Sequence, residues 1–125
     1  MKVDDLIKCM IVQSGNDACV DLAEAIAGNE EVFAEMMNRE AQRLGMKSTS
    51  FRNAAGMPDP QHYTTARDLA KLAGALIRDF PEDYAKYYSI KEFRYNNITQ
   101  PNRNRLLWID PTVDGVKTGR TGAAG

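Results

Sequence analysis

Two triplets in this 125-residue chain combine side chains that could do chemistry at close spacing: Ser14-Gly15-Asn16 and Lys117-Thr118-Gly119. The first sets a hydroxyl, able to relay a proton, one residue away from a carboxamide that can both donate and accept hydrogen bonds. The second offers an ammonium and a hydroxyl, both suited to an anion, followed by a glycine that lets another backbone approach. A three-residue pattern arises often by chance. Each triplet also has a purely structural reading: Ser14 and Asn16 as helix caps, and Lys117-Thr118-Gly119 as an exposed strand end and turn.

Other chemistries find little support. His62 is the lone histidine and the two cysteines stand apart, so no metal-ligand spacing exists and no cofactor is implied. Cys9 and Cys19 sit among apolar neighbours at helical spacing and read as buried free thiols, too few for a disulfide framework. Sixteen basic residues against 17 acidic give a net charge of −1, and no run of five like charges occurs. That balance lacks the basic footprint of a nucleic-acid binder. No stretch reaches the ~18 apolar residues of a membrane span. Met1-Lys2-Val3-Asp4-Asp5 does not read as a signal peptide, because its acidic pair interrupts the pattern.

The elements that must position the triplets are mostly helical. Leu6, Ile7, Met10 and Ile11 repeat at helical spacing behind Asp4 and Asp5, and Ser14-Gly15-Asn16-Asp17 breaks the pattern. A second helix carries Ala18, Leu22, Ala23 and Ile26 up to Gly28. Asn29 caps a third, whose stripe runs through Val32, Phe33, Met36, Met37, Ala41 and Leu44, the methionines reading as core filler. Residues 46–64 read as a long ordered loop. Thr65-Ala66-Arg67-Asp68 resembles a capping box, ahead of a fourth helix with Leu69, Leu72, Leu76 and Ile77. Pro81 opens a short fifth helix bearing Tyr84, Tyr87 and Tyr88. Beyond residue 89 the pattern reads as extended: Ile90, Phe93, Tyr95 and Ile98, then Leu106-Leu107-Trp108-Ile109, and a last strand over Val113 to Thr118.

Taken in order with their flanks, the triplets change the reading. Met10-Ile11-Val12-Gln13-Ser14-Gly15-Asn16-Asp17-Ala18 resembles the second site motif of serine-type D-alanyl-D-alanine carboxypeptidases, the low-molecular-weight penicillin-binding proteins. Asp114-Gly115-Val116-Lys117-Thr118-Gly119 resembles their third motif, and His62-Tyr63-Thr64-Thr65-Ala66-Arg67-Asp68-Leu69 also reads as that family. The resemblance runs from residue 4 to residue 121. It implies an α+β fold of the β-lactamase/transpeptidase type, with a helical region over 4–88 and extended segments with the Lys-Thr-Gly strand over 89–121. Residues 1–125 then form part of a penicillin-binding catalytic domain.

The implied reaction is acyl transfer: a serine attacks the penultimate D-Ala carbonyl of a peptidoglycan stem peptide, terminal D-Ala leaves, and water releases the acyl-enzyme. In that scheme Ser14, Asn16 and Lys117 are catalytic. Lys117, Thr118, Gly119, Arg120 and Thr121 bind substrate, the Arg120 backbone N–H donating to the oxyanion. β-Lactam antibiotics are the implied second ligand class, and the parent protein is implied to be periplasmic and associated with the inner membrane of bacteria.

Two departures stand out. Arg120 occupies a place where the family commonly has histidine. No S-x-x-K nucleophile motif exists, since Ser14, Ser48, Ser50 and Ser89 are followed three residues on by Asp17, Phe51, Asn53 and Glu92. The chain therefore reads as the middle piece of a longer catalytic domain, with Gly122-Ala123-Ala124-Gly125 ending where further strands are expected, and as inactive alone. A serine β-lactamase fragment and a helical peptidoglycan- or protein-binding module are the alternatives. Residues 113–121 are expected to be an unpaired edge strand that self-associates or stays mobile.

Overall fold

The computed structural model describes residues 1–123; Ala124 and Gly125, and so the end of the expected Gly122–Gly125 stop, lie outside the described residues. Five helices come first: α1 (Val3–Gln13), α2 (Asn16–Ala27), α3 (Glu30–Arg43), α4 (Ala66–Asp79) and α5 (Pro81–Tyr87). The hairpin β1 (Glu92–Tyr95) and β2 (Ile98–Pro101) and a short helix α6 (Leu106–Ile109) follow. This helix-rich α+β arrangement is the expected one.

Local chemistry explains the boundaries. Asp4 and Asp5 place negative charge at the positive end of α1. Asp4 also pairs with Lys8 at 2.7 Å and accepts from the Tyr87 hydroxyl at 2.6 Å, tying α1 to α5. Those contacts, Lys8 foremost, hold its carboxyl well below the usual carboxylate range. Asn29 Oδ1 accepts from the Val32 N–H at 2.8 Å to start α3, and Thr65 Oγ1 accepts from the Asp68 N–H at 3.1 Å to start α4.

The expected capping box is only half made. Instead of reaching back to Thr65, the Asp68 carboxylate accepts from the Ser48 N–H and the Thr49 hydroxyl, at 2.8 and 2.6 Å. Asp68, 3% exposed, thus fastens the long loop to α4. Asn38 holds the same loop, donating to the Phe51 carbonyl and accepting from its N–H. His62 Nδ1 accepts from the Arg52 N–H at 3.0 Å, so the lone histidine is a loop fastener.

The hairpin pairs antiparallel, Glu92 opposite Pro101 and Tyr95 opposite Ile98. Asn96 and Asn97, at φ 50° and 63°, supply the two positive φ values of a type I′ turn.

Four expectations fail. Leu106–Ile109 is helical, not extended. A run of consecutive apolar residues has no period to choose between the two, and the bonds from the Leu107 N–H to Asn104 and the Asp110 N–H to Leu106 choose the helix. Val113–Thr118 is not a strand, because among the described residues no neighbouring strand pairs with it. The self-association argued from an edge strand there loses its geometric basis. Met36 and Met37 are not core filler. With Leu44, Phe51 and Leu72 they line an open hollow of about 350 Å³ between α3 and α4. The buried apolar set is rich in small groups, Val12, Ala18, Ala23, Ala34, Ala41 and Ala75, with Ile11, Met46, Tyr84 and Leu107 the larger members. Cys9 and Cys19 are free, but half-buried rather than buried.

Candidate functional site

The α1–α2 turn presents Ser14. The backbone N–H groups of Ser14 and Gly15 both turn to the Cys9 carbonyl, closing α1. Ser14 itself adopts the left-handed conformation, φ 56°, at a cost of about 1 kcal/mol for a residue with a Cβ. Gly15 does not supply the positive φ. It leaves room for the Cys9 thiol, since a Cβ there would lie 2.7 Å from Cys9 Sγ and push that side chain aside. The turn is set on a packed base: Val12 and Ala23 are both 0% exposed.

Lys117 arrives from 103 residues away. Its Nζ donates to Ser14 Oγ at 2.6 Å and to the Thr118 carbonyl at 2.8 Å. Two of the three ammonium N–H groups are engaged, and the third can meet an anion. Burial of the ammonium end pushes its pKa down; Arg103 repels it in the same direction, while the Cys19 thiol opposes the shift. A lysine lowered in this way has more of the neutral amine that can take a proton from a serine hydroxyl.

The segment bearing Lys117 has no regular secondary structure and is held by individual bonds. The Tyr84 hydroxyl donates to Asp114 Oδ1 at 2.7 Å, and Asn104 Nδ2 donates to the Gly115 carbonyl at 3.3 Å. Gly115 lies against the Tyr84 ring so closely that a Cβ would overlap the hydroxyl oxygen. Burial, reinforced by Asp114, pushes the Tyr84 pKa up to about 12. Asn104 is positioned in turn by the buried Asn102, whose side chain accepts from the Asn104 N–H and donates to the Ile90 carbonyl. Between them, the Arg103 N–H donates to the Val12 carbonyl of α1. A bracket of residues 102–104 therefore joins the two halves of the site.

The structure brings Ser14 and Lys117 into contact. The Asn16 amide, on the first turn of α2, donates instead to Met57 Sδ at 3.4 Å. Thr118, Gly119 and Arg120 are exposed and Thr121 is half-buried; a Cβ at Gly119 would meet only open space. Sequence reasoning missed Arg103, Asn104, Met57 and the Tyr84–Asp114 tether. Only the glycine after Asp114 hinted at a close approach there.

A serine on an interhelical turn, facing the lysine of a Lys-Thr-Gly segment in an α+β frame, defines the class of penicillin-recognising serine enzymes. The family profile of the D-alanyl-D-alanine carboxypeptidases, peptidase S11, matches residues 1–125. The chain belongs to that family. It is 51% identical over 126 residues to D-alanyl-D-alanine carboxypeptidase DacC of Escherichia coli (strain K12), covering 100% of this chain and 31% of that protein. Penicillin binding protein 5 from Haemophilus influenzae superimposes with a TM-score of 0.94 at 50% identity, over 100% of this chain and 36% of that one. Penicillin-binding protein D2 from Listeria monocytogenes, in its cefotaxime-bound form, gives a TM-score of 0.87 at 32% identity, over 98% and 50%. The chain thus spans about a third of the length of the curated relatives it matches.

Proposed function

We propose that this chain supplies the second and third site motifs of a serine-type D-Ala-D-Ala carboxypeptidase, which removes the terminal D-Ala of peptidoglycan stem peptides and is acylated by β-lactams. The observation that carries the reading is the 2.6 Å bond between Lys117 Nζ and Ser14 Oγ. In this scheme Lys117 both orients Ser14 and attracts the substrate's terminal carboxylate, with Thr118 and Thr121 as hydroxyl donors to it. Ser14 relays a proton to the leaving amine, and Asn16 releases Met57 to hold a substrate amide. Gly119 leaves room for the substrate backbone, and the Arg120 N–H faces the developing oxyanion.

The nucleophile is not among these residues, because no serine here has a lysine three positions on. We place it on a segment outside them, and place the working enzyme in the periplasm at the inner membrane. Among the described residues no helix is long and apolar enough to cross a membrane.

Titration of the chain with short peptides ending in D-Ala-D-Ala, followed by NMR, tests the proposal. Reversible binding that shifts Ser14 and Lys117, exceeds that of the L-Ala-L-Ala counterpart and is lost in Lys117→Ala is expected. Benzylpenicillin should add no mass to the chain. Equal binding of both stereoisomers, or binding unaffected by Lys117→Ala, would refute the assignment.

A further inference from the structure

We propose that the open cavity bounded by Gln13, Pro101, Arg105 and Trp108 is a second anion subsite, which takes an internal carboxylate of the bound peptide. The inference rests on the peptide-binding reading above, and the terminal carboxylate remains with Lys117.

Position is the first argument. The cavity holds about 740 Å³, ample for a peptide segment. Gln13, on its wall, immediately precedes Ser14, and its Nε2 is fixed by donation to the Pro101 carbonyl at 2.6 Å. Arg103, which also lines the cavity, is close enough to repel the Lys117 ammonium. A peptide whose end lies at Ser14 and Lys117 therefore has this hollow beside its next residues.

Charge is the second. Arg103 and Arg105 both line the cavity, and no acidic residue does. Among the described residues neither guanidinium makes an ion pair or a side-chain hydrogen bond. The ion pairs present belong to Lys8, Arg43, Arg78 and Lys86, elsewhere on the chain. Two guanidiniums without an acidic partner, in a chain of net charge −1, make this cavity locally positive. Their planar forks match a carboxylate.

The third argument is the wall. Helix α6 turns Leu107 inward at 5% exposure, leaving Trp108 at 47% and Ile109 at 72%. An apolar face next to two cations fits the aliphatic stem and backbone of an acidic residue better than a bare inorganic anion.

Trp108 is the single tryptophan, so its indole N–H is an unambiguous NMR reporter. The probes are a blocked, C-terminally amidated peptide with one internal glutamate and its glutamine counterpart, at matched ionic strength. The glutamate peptide should shift the indole signal and bind roughly fivefold more tightly, the scale of a solvent-accessible ion pair. Arg105→Gln should abolish that preference, and Arg105→Lys should retain part of it. Arg105 makes no side-chain cap to α6, so neither change should disturb the fold, which circular dichroism will verify. Equal binding of the two peptides, or a preference surviving Arg105→Gln, overturns the proposal, as does an equal response to inorganic phosphate. Because the probes lack a terminal carboxylate, failure of the carboxypeptidase reading shows separately, as D-Ala-D-Ala peptides leaving Ser14 and Lys117 unmoved while Trp108 still responds.

Discussion

The two halves of the site are built by opposite means. Ser14 stands on a turn between α1 and α2, where Val12 and Ala23 are wholly buried and the helices fix its place. Lys117 stands on an irregular, largely exposed segment held by the Tyr84–Asp114 bond, the Asn104–Gly115 bond and its own contact with Ser14. Packing positions the hydroxyl; a few polar tethers position the ammonium. The precision of the pair should therefore fail from the lysine side first, and Tyr84 is where it should fail most severely.

Tyr84 is 6% exposed, stacks on Tyr88 at 5.3 Å and supplies the abutment for Gly115. Tyr84→Ala should cost about 3–4 kcal/mol, the range for deleting a buried aromatic side chain. It should also release residues 110–121, seen as faster hydrogen exchange there and loss of the Lys117–Ser14 contact. Val12→Ala, on the other half, should cost about 2 kcal/mol while leaving the lysine segment protected. If both variants loosened the two halves equally, the contrast between packing and tethering would be wrong.

The same contrast separates what the sequence made legible from what it hid. Helices α1 to α5 were readable because periodicity and caps are local: Asn29, Thr65 and Pro81 mark their starts, and Ser14-Gly15 and Gly28 mark breaks. The extended character of Phe93, Tyr95 and Ile98 was readable from alternation, while the hairpin turn at Asn96-Asn97 emerges only in the structure. Residues 106–109 and 113–118 were not. Their conformation is settled by bonds to partners such as Asn104 and Tyr84, and nothing in the local sequence encodes those partners. Ser14 and Lys117 were legible as residue types through resemblance, but their contact across 103 residues had no local signal. The Asn16 amide turned to Met57 for a similar reason, since Met57 lies in a loop without periodicity.

A gentler change sharpens the comparison. Tyr84→Phe keeps the ring and removes the hydroxyl donor to Asp114, so it should cost about 1 kcal/mol near neutral pH. Its pH dependence identifies the group. The folded-state pKa, about 12, lies above the unfolded value near 10, so the stabilisation is complete below pH 10. Between pH 10 and 12 the unfolded chain loses the Tyr84 proton while the folded chain keeps it, and stability falls as pH rises. Denaturant midpoints measured from pH 8 to 12 should converge for the two proteins across that window. Parallel curves would mean that Tyr84 is not held protonated by its burial and by Asp114.

The smallest effect on stability should come from Lys117, the residue proposed to act closest to the substrate. Lys117→Ala removes a hydrogen bond to Ser14 at an exposed position, a loss worth under about 1 kcal/mol. It also removes the partial burial of an ammonium and its repulsion by Arg103, which offset part of that loss. The net change in unfolding free energy should be about 0.5 kcal/mol or less. Local order should respond more than global stability. Amides of 117–121 should exchange faster, those of α1 and α2 should be unchanged, and Ser14 should keep its left-handed backbone because α1 and Cys9 hold it. A loss above about 2 kcal/mol, or weaker protection in α1 and α2, would show that the lysine supports the helical half. A small loss confined to 117–121 would instead place Lys117 as a side chain held for function on a scaffold that does not need it.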